Sequence, residues 1–123
     1  MLGLVNSSQT RTFIQSVNLI KKKVQMDAGE IKKTLRSGGS VFGMMLTASR
    51  SPRWAKTYAQ SGLDYIIIDT EHTPRSRSEV ADLLAAFETT NIAPIVRIPI
   101  PSSHYVTMAL DAGAQGVLAP YCE

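Results

Sequence analysis

The tetrapeptide from Asp69 to His72 places an acid and an imidazole three residues apart, directly after an apolar run rich in β-branched residues. A turn at this point could bring the Asp69 carboxylate to the His72 ring. A carboxylate bound to one ring nitrogen fixes the tautomer and leaves the other nitrogen as a general base. The alternative is that Asp69 forms an Asx turn and His72 is a solvated loop residue. The spacing alone leaves both interpretations open.

A second chemically informative residue is Arg97, which lies inside the apolar segment 93–99. An unpaired guanidinium in a buried strand loses several kcal/mol of hydration free energy, so we expect Arg97 to have a partner. That partner could be Asp69 or Glu71, in a structural ion pair. It could instead be an anionic ligand, because a planar guanidinium suits a carboxylate or enolate oxygen. An arginine held by one carboxylate can still face a substrate, so the two interpretations overlap.

The pattern of the chain from Asp27 onward indicates alternating helices and strands. Capping residues, a Ser-Pro pair, a Ser-x-x-Glu capping box and terminal glycines mark the helix boundaries. Strands are predicted at 41–46, 64–69, 94–98 and 116–119. The predicted helices follow Asp27, Ser51, Ser76 and Ser102 and run to about Arg36, Gly62, Thr89 and Ala112.

The predicted order βαβαβαβ is typical of an α/β protein with a parallel sheet and right-handed crossovers. Such folds gather their chemistry at the carboxyl ends of the strands, where Asp69, His72 and Arg97 lie. Periodicity does not separate an open doubly wound sheet from the first half of a (β/α)₈ barrel, which needs about 250 residues in full. We expect a sheet in the sequential order 1-2-3-4, curved like half a barrel. No GxGxxG or GxxxxGK[ST] loop follows a strand, so nucleotide binding has no sequence support.

Composition excludes several classes of protein. The chain has 123 residues, of which 44% are hydrophobic and 19% charged, as in one ordinary globular domain. Its longest apolar runs are far shorter than the roughly 18 residues of a membrane-spanning helix, so we expect no integral membrane segment. The single cysteine, Cys122, excludes an internal disulfide and points to a reducing compartment.

Charge divides the chain into two parts. Residues 1–40 carry seven basic and two acidic groups, whereas the remaining residues carry six basic and eight acidic groups. A mildly acidic body argues against a nucleic-acid partner, which requires lysines and arginines on the folded surface. We interpret residues 1–26 as a basic amphipathic helical leader and residues 27–123 as the domain that carries the candidate catalytic residues. One possibility is that the leader packs on the rest of a cytoplasmic protein. The alternative is an acid-poor targeting or membrane-surface helix, which would be consistent with a mitochondrial location.

Four segments taken together resemble the HpcH/HpaI aldolase family of metal-dependent class II pyruvate aldolases. They are Phe42-Gly43, Ala59 to His72, Pro94 to Pro99 and Leu110 to Pro120. The resemblance covers about residues 27–123 in order and spacing. It implies the N-terminal half of a (β/α)₈ TIM barrel of the phosphoenolpyruvate/pyruvate type, with four parallel strands. It also implies that full-length members form homo-oligomers, usually trimers or hexamers.

The resemblance also implies roles for individual residues. Asp69 and His72 correspond to a catalytic acid-base dyad, and Arg97 to the residue that polarises the pyruvyl keto oxygen. Asp111 corresponds to an aspartate used at a subunit contact or in substrate positioning, although an ordinary charge at a helix end is the alternative. The implied cofactor is a divalent metal, Mg²⁺, Mn²⁺ or Co²⁺, whose acidic ligands are expected beyond residue 123. We assign no metal ligand within this chain.

The reaction implied by the resemblance is cleavage of a 4-hydroxy-2-oxo acid to pyruvate and an aldehyde through a metal-stabilised enolate. His72 would take the C4 hydroxyl proton as the carbon–carbon bond breaks. One alternative is an oxaloacetate decarboxylase or macrophomate synthase-like enzyme that uses the same enolate. Another is a catalytically silent fragment that acts only in interactions. Since the metal ligands are expected elsewhere, we expect little activity from these residues alone.

Overall fold

A computed structural model describes residues 25–122 and shows helices alternating with parallel strands. The strands are β1 (Gly43–Leu46), β2 (Tyr65–Asp69), β3 (Ala93–Arg97) and β4 (Gly116–Leu118). The helices are α1 (Ala28–Arg36), α2 (Ala55–Ala59), α3 (Arg77–Glu88) and α4 (Ser103–Asp111), with a 3₁₀ turn at Pro52–Trp54 before α2. Nearly all of the leader predicted at 1–26 lies outside the described residues. No helix in the described part of the chain is both long and apolar enough to cross a membrane.

The four strands form one sheet in the order β1-β2-β3-β4, with every neighbouring pair parallel. This confirms the predicted sequential order and the α/β class. The register places Asp69 of β2 opposite Arg97 of β3, and Arg97 opposite Leu118 of β4. Because parallel strands end at the same edge, these residues share the carboxyl edge of the sheet.

The two faces of the sheet differ in how they are covered. One face packs on the helices and carries the fully buried Ile66 and Ile68, next to Phe87 of α3. This alternation follows from the two-residue period of a strand. On the other face Met45 and Leu118 are 36% and 41% exposed. Among the described residues, the helices thus pack on one face of the sheet.

The capping residues predicted from the sequence are only partly confirmed by the structure. The Asp27 side chain accepts a hydrogen bond from the Glu30 N–H at 2.9 Å, and Ser76 and Glu79 form the predicted reciprocal capping box. Ser51 and Ser102 occupy cap positions but make no side-chain capping hydrogen bond. The segment after Ser51 is a 3₁₀ turn and a short helix that ends at Ala59, which is earlier than predicted.

Gly43 of β1 supports the close approach of β1 and β2. The ring of Tyr65, its register partner, lies where a Cβ on residue 43 would be, so a side chain there would overlap the ring carbons. We expect Gly43→Ala to lower the free energy of unfolding by about 1–3 kcal/mol, because the tyrosine ring must move. In a Tyr65→Ala background the same substitution should cost much less. Urea unfolding of the four proteins measures this coupling, and equal losses in both backgrounds would contradict it.

Candidate active site

The centre of the site is a two-pronged ion pair between Asp69 and Arg97, at the carboxyl edge of the sheet. Arg97 Nε lies 3.0 Å from Asp69 Oδ1, and Arg97 Nη2 lies 2.9 Å from Asp69 Oδ2. The Asp69 side chain is fully buried, whereas 17% of the Arg97 side chain remains exposed. This confirms the expectation that Arg97 pairs with an acid. A bidentate pair fixes the plane of the guanidinium as well as its position.

The Asp69 carboxylate also accepts hydrogen bonds from the loop that follows β2. Asp69 Oδ1 accepts hydrogen bonds from the backbone N–H groups of Glu71 at 3.0 Å and His72 at 3.3 Å. The Thr73 hydroxyl lies 3.3 Å from Asp69 Oδ2. This is the Asx-turn arrangement that the sequence offered as the alternative to a dyad. Asp69 therefore bonds the backbone of His72, and no bond joins its carboxylate to the imidazole ring.

These contacts set the ionisation of Asp69. Burial by itself would raise the pKa of this carboxyl, but the hydrogen bonds from Arg97 and from the two backbone N–H groups outweigh it and lower the pKa to about 2. The pKa of Arg97 is raised, chiefly because Asp69 accepts its hydrogen bond. Asp69 and Arg97 thus remain a charged pair at any pH at which a cell operates.

Glu71 is the carboxylate nearest to the imidazole of His72. Glu71 Oε2 lies 3.3 Å from Arg97 Nη1, and Glu71 Oε1 lies 3.7 Å from His72 Nε2. The second distance is too long for a hydrogen bond but is within ion-pair range when the imidazole is protonated. The Glu71 side chain is 9% exposed and that of His72 is 65% exposed. His72 therefore faces solvent beside a carboxylate that Arg97 already holds.

Asp111 does not join this cluster within one chain. It is the exposed last residue of α4, which runs back toward the amino end of the sheet. Four residues later the N–H of Gln115 bonds the carbonyl of Pro94, near the start of β3. Asp111 and Arg97 accordingly lie at opposite ends of the sheet. Of the four predicted site residues, the structure brings together Asp69, His72 and Arg97.

No sequence motif pointed to two further residues near the site, Arg75 and Tyr121. Arg75 Nη2 lies 2.8–3.3 Å from the carbonyl oxygens of Leu46, Thr47 and Ser49, and so ties the loop after β1 to the loop after β2. Burial lowers the pKa of Arg75. The carboxylate of Glu71 raises the pKa of Tyr121, which lies just beyond β4. In the sequence, each residue is distinguished only by its position. It follows the carboxyl end of a strand and comes directly after a proline.

The side chains present do not form a metal centre. Within residues 25–122 no group of three or more histidine, cysteine, aspartate or glutamate side chains could hold a metal ion. Asp69 and Glu71 direct their oxygens at Arg97 and at the loop. A carboxylate in a bidentate pair with arginine is a poor ligand for a divalent cation. These residues alone do not fit the expected metal.

Comparison with known proteins agrees with the fold. The family model described as HpcH/HpaI aldolase/citrate lyase matches residues 43–123. The chain belongs to this family. A hydroxypyruvate/pyruvate aldolase of Roseobacter denitrificans is 32% identical over 92 residues, which are 75% of this chain and 36% of that protein. A 4-hydroxy-2-oxovalerate aldolase of Novosphingobium aromaticivorans is 33% identical over 101 residues, or 81% of this chain and 38% of that protein.

A solved structure of the family gives the same result. The HpcH/HpaI aldolase from Desulfitobacterium hafniense DCB-2 superposes with a TM-score of 0.65 at 37% identity, covering 71% of this chain and 34% of that one. The present chain thus spans little more than a third of the length of the curated relatives it matches. Its four strands are part of the TIM barrel of this HpcH/HpaI family.

The ion pair predicts a specific acid sensitivity. The pKa of Asp69 is about 2 in the folded protein and 3.8 ordinarily, so its charge stabilises the fold at pH values above about 4. That contribution, about 2 kcal/mol, should disappear as the pH falls from 4 toward 2. Urea unfolding at pH 5 and pH 2 measures the loss.

The matched variants are Asp69→Asn, which removes this titration, and Asp82→Asn, which removes an exposed carboxylate of α3. The Asp69→Asn protein should lose less free energy between the two pH values than the wild type or Asp82→Asn. If all three proteins lose the same amount, the ion pair does not have the strength described.

Proposed function

We propose that this chain supplies the arginine-centred portion of a carbon–carbon lyase that cleaves a 4-hydroxy-2-oxo acid to pyruvate and an aldehyde. The observation that carries the proposal is a guanidinium clamped by buried Asp69, with part of its surface exposed beside His72 at the carboxyl edge of a barrel sheet. The names of two relatives, a hydroxypyruvate/pyruvate aldolase and a 4-hydroxy-2-oxovalerate aldolase, support the same substrate class.

Arg97 is suited to bind the keto oxygen on which negative charge develops. All three guanidinium nitrogens face carboxylates here: Nε and Nη2 contact Asp69, and Nη1 forms a 3.3 Å ion pair with Glu71. Because Nη1 and Nη2 each carry two N–H groups, donors remain for a ligand. Because the guanidinium is held before the substrate arrives, its charge needs no reorganisation as the enolate forms.

His72 is suited to take the proton of the C4 hydroxyl. As the C3–C4 bond breaks, its electron pair moves toward the C2 keto group to give the enolate, C4 becomes an aldehyde, and the hydroxyl proton passes to the imidazole. The imidazolium so formed lies beside the Glu71 carboxylate, which stabilises its charge. Protonation of the enolate at C3 then yields pyruvate. Asp69 acts in this scheme through Arg97 and through the backbone of the His72 loop.

The expected divalent metal, Mg²⁺, Mn²⁺ or Co²⁺, would neutralise the substrate carboxylate and the enolate when bound. We propose that its ligands come from residues outside this chain, since the side chains described here do not fit.

We further propose that Asp111 contributes only at a contact between copies in a homo-oligomer. Its exposed position at the end of α4, at the opposite end of the sheet from Arg97, supports a contact made between chains. The amino end of one sheet would then have to approach the carboxyl edge of another.

The experiment that tests this function is a chimera. Residues 43–122 replace the corresponding segment of the Roseobacter denitrificans hydroxypyruvate/pyruvate aldolase, and pyruvate release is followed with 4-hydroxy-2-oxo acids, with oxaloacetate and with EDTA present or absent. We expect EDTA-sensitive cleavage of the hydroxy-oxo acid. We expect the 123-residue chain by itself to be nearly inactive, because Lewis-acid stabilisation of the enolate is missing.

In the chimera, His72→Ala should lower kcat by roughly 10²–10⁴-fold, and Arg97→Ala by roughly 10²–10³-fold. The matched control is His104→Ala, because His104 is an exposed histidine on α4 outside the site. Unchanged turnover in Arg97→Ala would refute the proposed role of the guanidinium. Robust EDTA-sensitive turnover by the 123-residue chain would show that the metal ligands are within it.

A further inference from the structure

Arg75 belongs to the segment between β2 and α3, yet its side chain bonds the loop that follows β1. Its Nη2 atom lies 3.0 Å from the carbonyl oxygen of Leu46, 3.3 Å from that of Thr47 and 2.8 Å from that of Ser49. In the same guanidinium, Nε and Nη1 are buried and have no hydrogen-bond partner in the described part of the chain. Buried donors without acceptors are costly, and each one calls for an explanation. Stability alone therefore does not account for this guanidinium.

The three carbonyl contacts also fix where N–H groups of the same loop point. In a trans peptide bond the C=O of one residue and the N–H of the next point in opposite directions, and the peptide bonds of this loop are trans. The N–H groups of Thr47, Ala48 and Arg50 accordingly point away from the guanidinium. None of the three donates a hydrogen bond to another of residues 25–122. The loop thus presents three backbone donors on the side that faces away from Arg75.

That side is the open face of the sheet. Arg75 borders a cavity between α3 and α4 together with Val96 and Ile98, which belong to the apolar core on the helix-covered face. Arg97 lies between these two residues in the chain, so its side chain projects from the opposite face. Groups that point away from Arg75 therefore point toward the face that carries Arg97.

The loop after β1 also lies at the aldehyde end of the proposed reaction. Arg97, which ends β3, binds the keto oxygen at C2 in that scheme, and His72, which follows β2, takes the proton of the C4 hydroxyl. Because the sheet order is β1-β2-β3, the line from Arg97 to His72 continues to the loop after β1. The part of the substrate beyond C4, which leaves as the aldehyde, would extend toward this loop.

We propose that Arg75 is a positioning residue, which holds the N–H groups of the loop after β1 toward the substrate, where they select an aldehyde portion that carries a hydroxyl at C5. A backbone N–H without a protein partner favours a hydrogen-bond acceptor, and the C5 hydroxyl oxygen supplies one. Arg75 contacts no reacting atom and acts only through the loop. This inference rests on the proposed function, because it names the part of the substrate that the same site distinguishes.

The first test measures the loop in the 123-residue chain and needs no turnover. The backbone amide NMR signals of Thr47, Ala48 and Arg50 should shift in Arg75→Gln, which removes the charged donor. They should shift less in Arg75→Lys, whose ammonium group can still donate to the carbonyl oxygens. The matched control Arg77→Gln changes an exposed arginine two residues further on and should leave these signals in place. Unchanged loop signals in Arg75→Gln, or shifts spread evenly over the whole sheet in both Arg75 variants, overturn the proposal.

The second test measures selectivity in the chimera described above. The substrates are 4,5-dihydroxy-2-oxopentanoate and 4-hydroxy-2-oxopentanoate, which differ only in the C5 hydroxyl. The parent chimera should cleave the dihydroxy acid with the higher kcat/KM, and Arg75→Gln should lower this preference by about tenfold, the effect of one lost hydrogen bond. Arg77→Gln should preserve it.

The outcomes of the second test separate the two proposals. Equal losses of kcat/KM for both substrates in Arg75→Gln, or no loss for either, overturn the role of Arg75 and leave the lyase function standing. A parent chimera that cleaves neither substrate contradicts the proposed function itself, and the selectivity that rests on it falls as well.

Discussion

The buried pair of Asp69 and Arg97 is the interaction on which the rest of the site depends. A fully buried carboxylate is tolerated only when hydrogen bonds satisfy its oxygens, and the two close contacts with Asp69 fix the orientation of the Arg97 guanidinium. The same carboxylate also bonds the N–H groups of Glu71 and His72. One side chain thus holds the cation of the site and shapes the loop that presents the base.

The sheet makes this interaction possible. Its parallel register sets Asp69 opposite Arg97 at the edge where both strands end. Below that edge, one face is sealed by helices around Phe87, while the other carries the charged pair and half-exposed apolar side chains. The polar cluster is therefore supported by a rigid apolar layer, yet it faces the side on which a ligand can approach.

Around the pair, further contacts connect the loops that follow neighbouring strands. Arg75 joins the loop after β1 to the loop after β2 through three carbonyl oxygens. Glu71 joins the loop after β2 to Arg97 of β3, and the N–H of Ile98 bonds the carbonyl of Leu118 at the end of β4. In this way all four strands contribute at their carboxyl ends to the shape of one site. Disturbing one of these contacts should alter the presentation of His72 before it unfolds the sheet.

Sequence by itself determined the alternation of strands and helices, the capping box at Ser76 and the need of Arg97 for an acidic partner. These follow from residue periodicity, local capping and the cost of a buried charge. Tertiary structure decided which acid meets which base. Asp69 contacts Arg97 and the loop backbone, and Glu71 lies beside His72. Asp111, at the end of α4, lies at the far end of the sheet. Spacing along the chain does not specify side-chain direction across strands, so only the assembled register could settle these pairings.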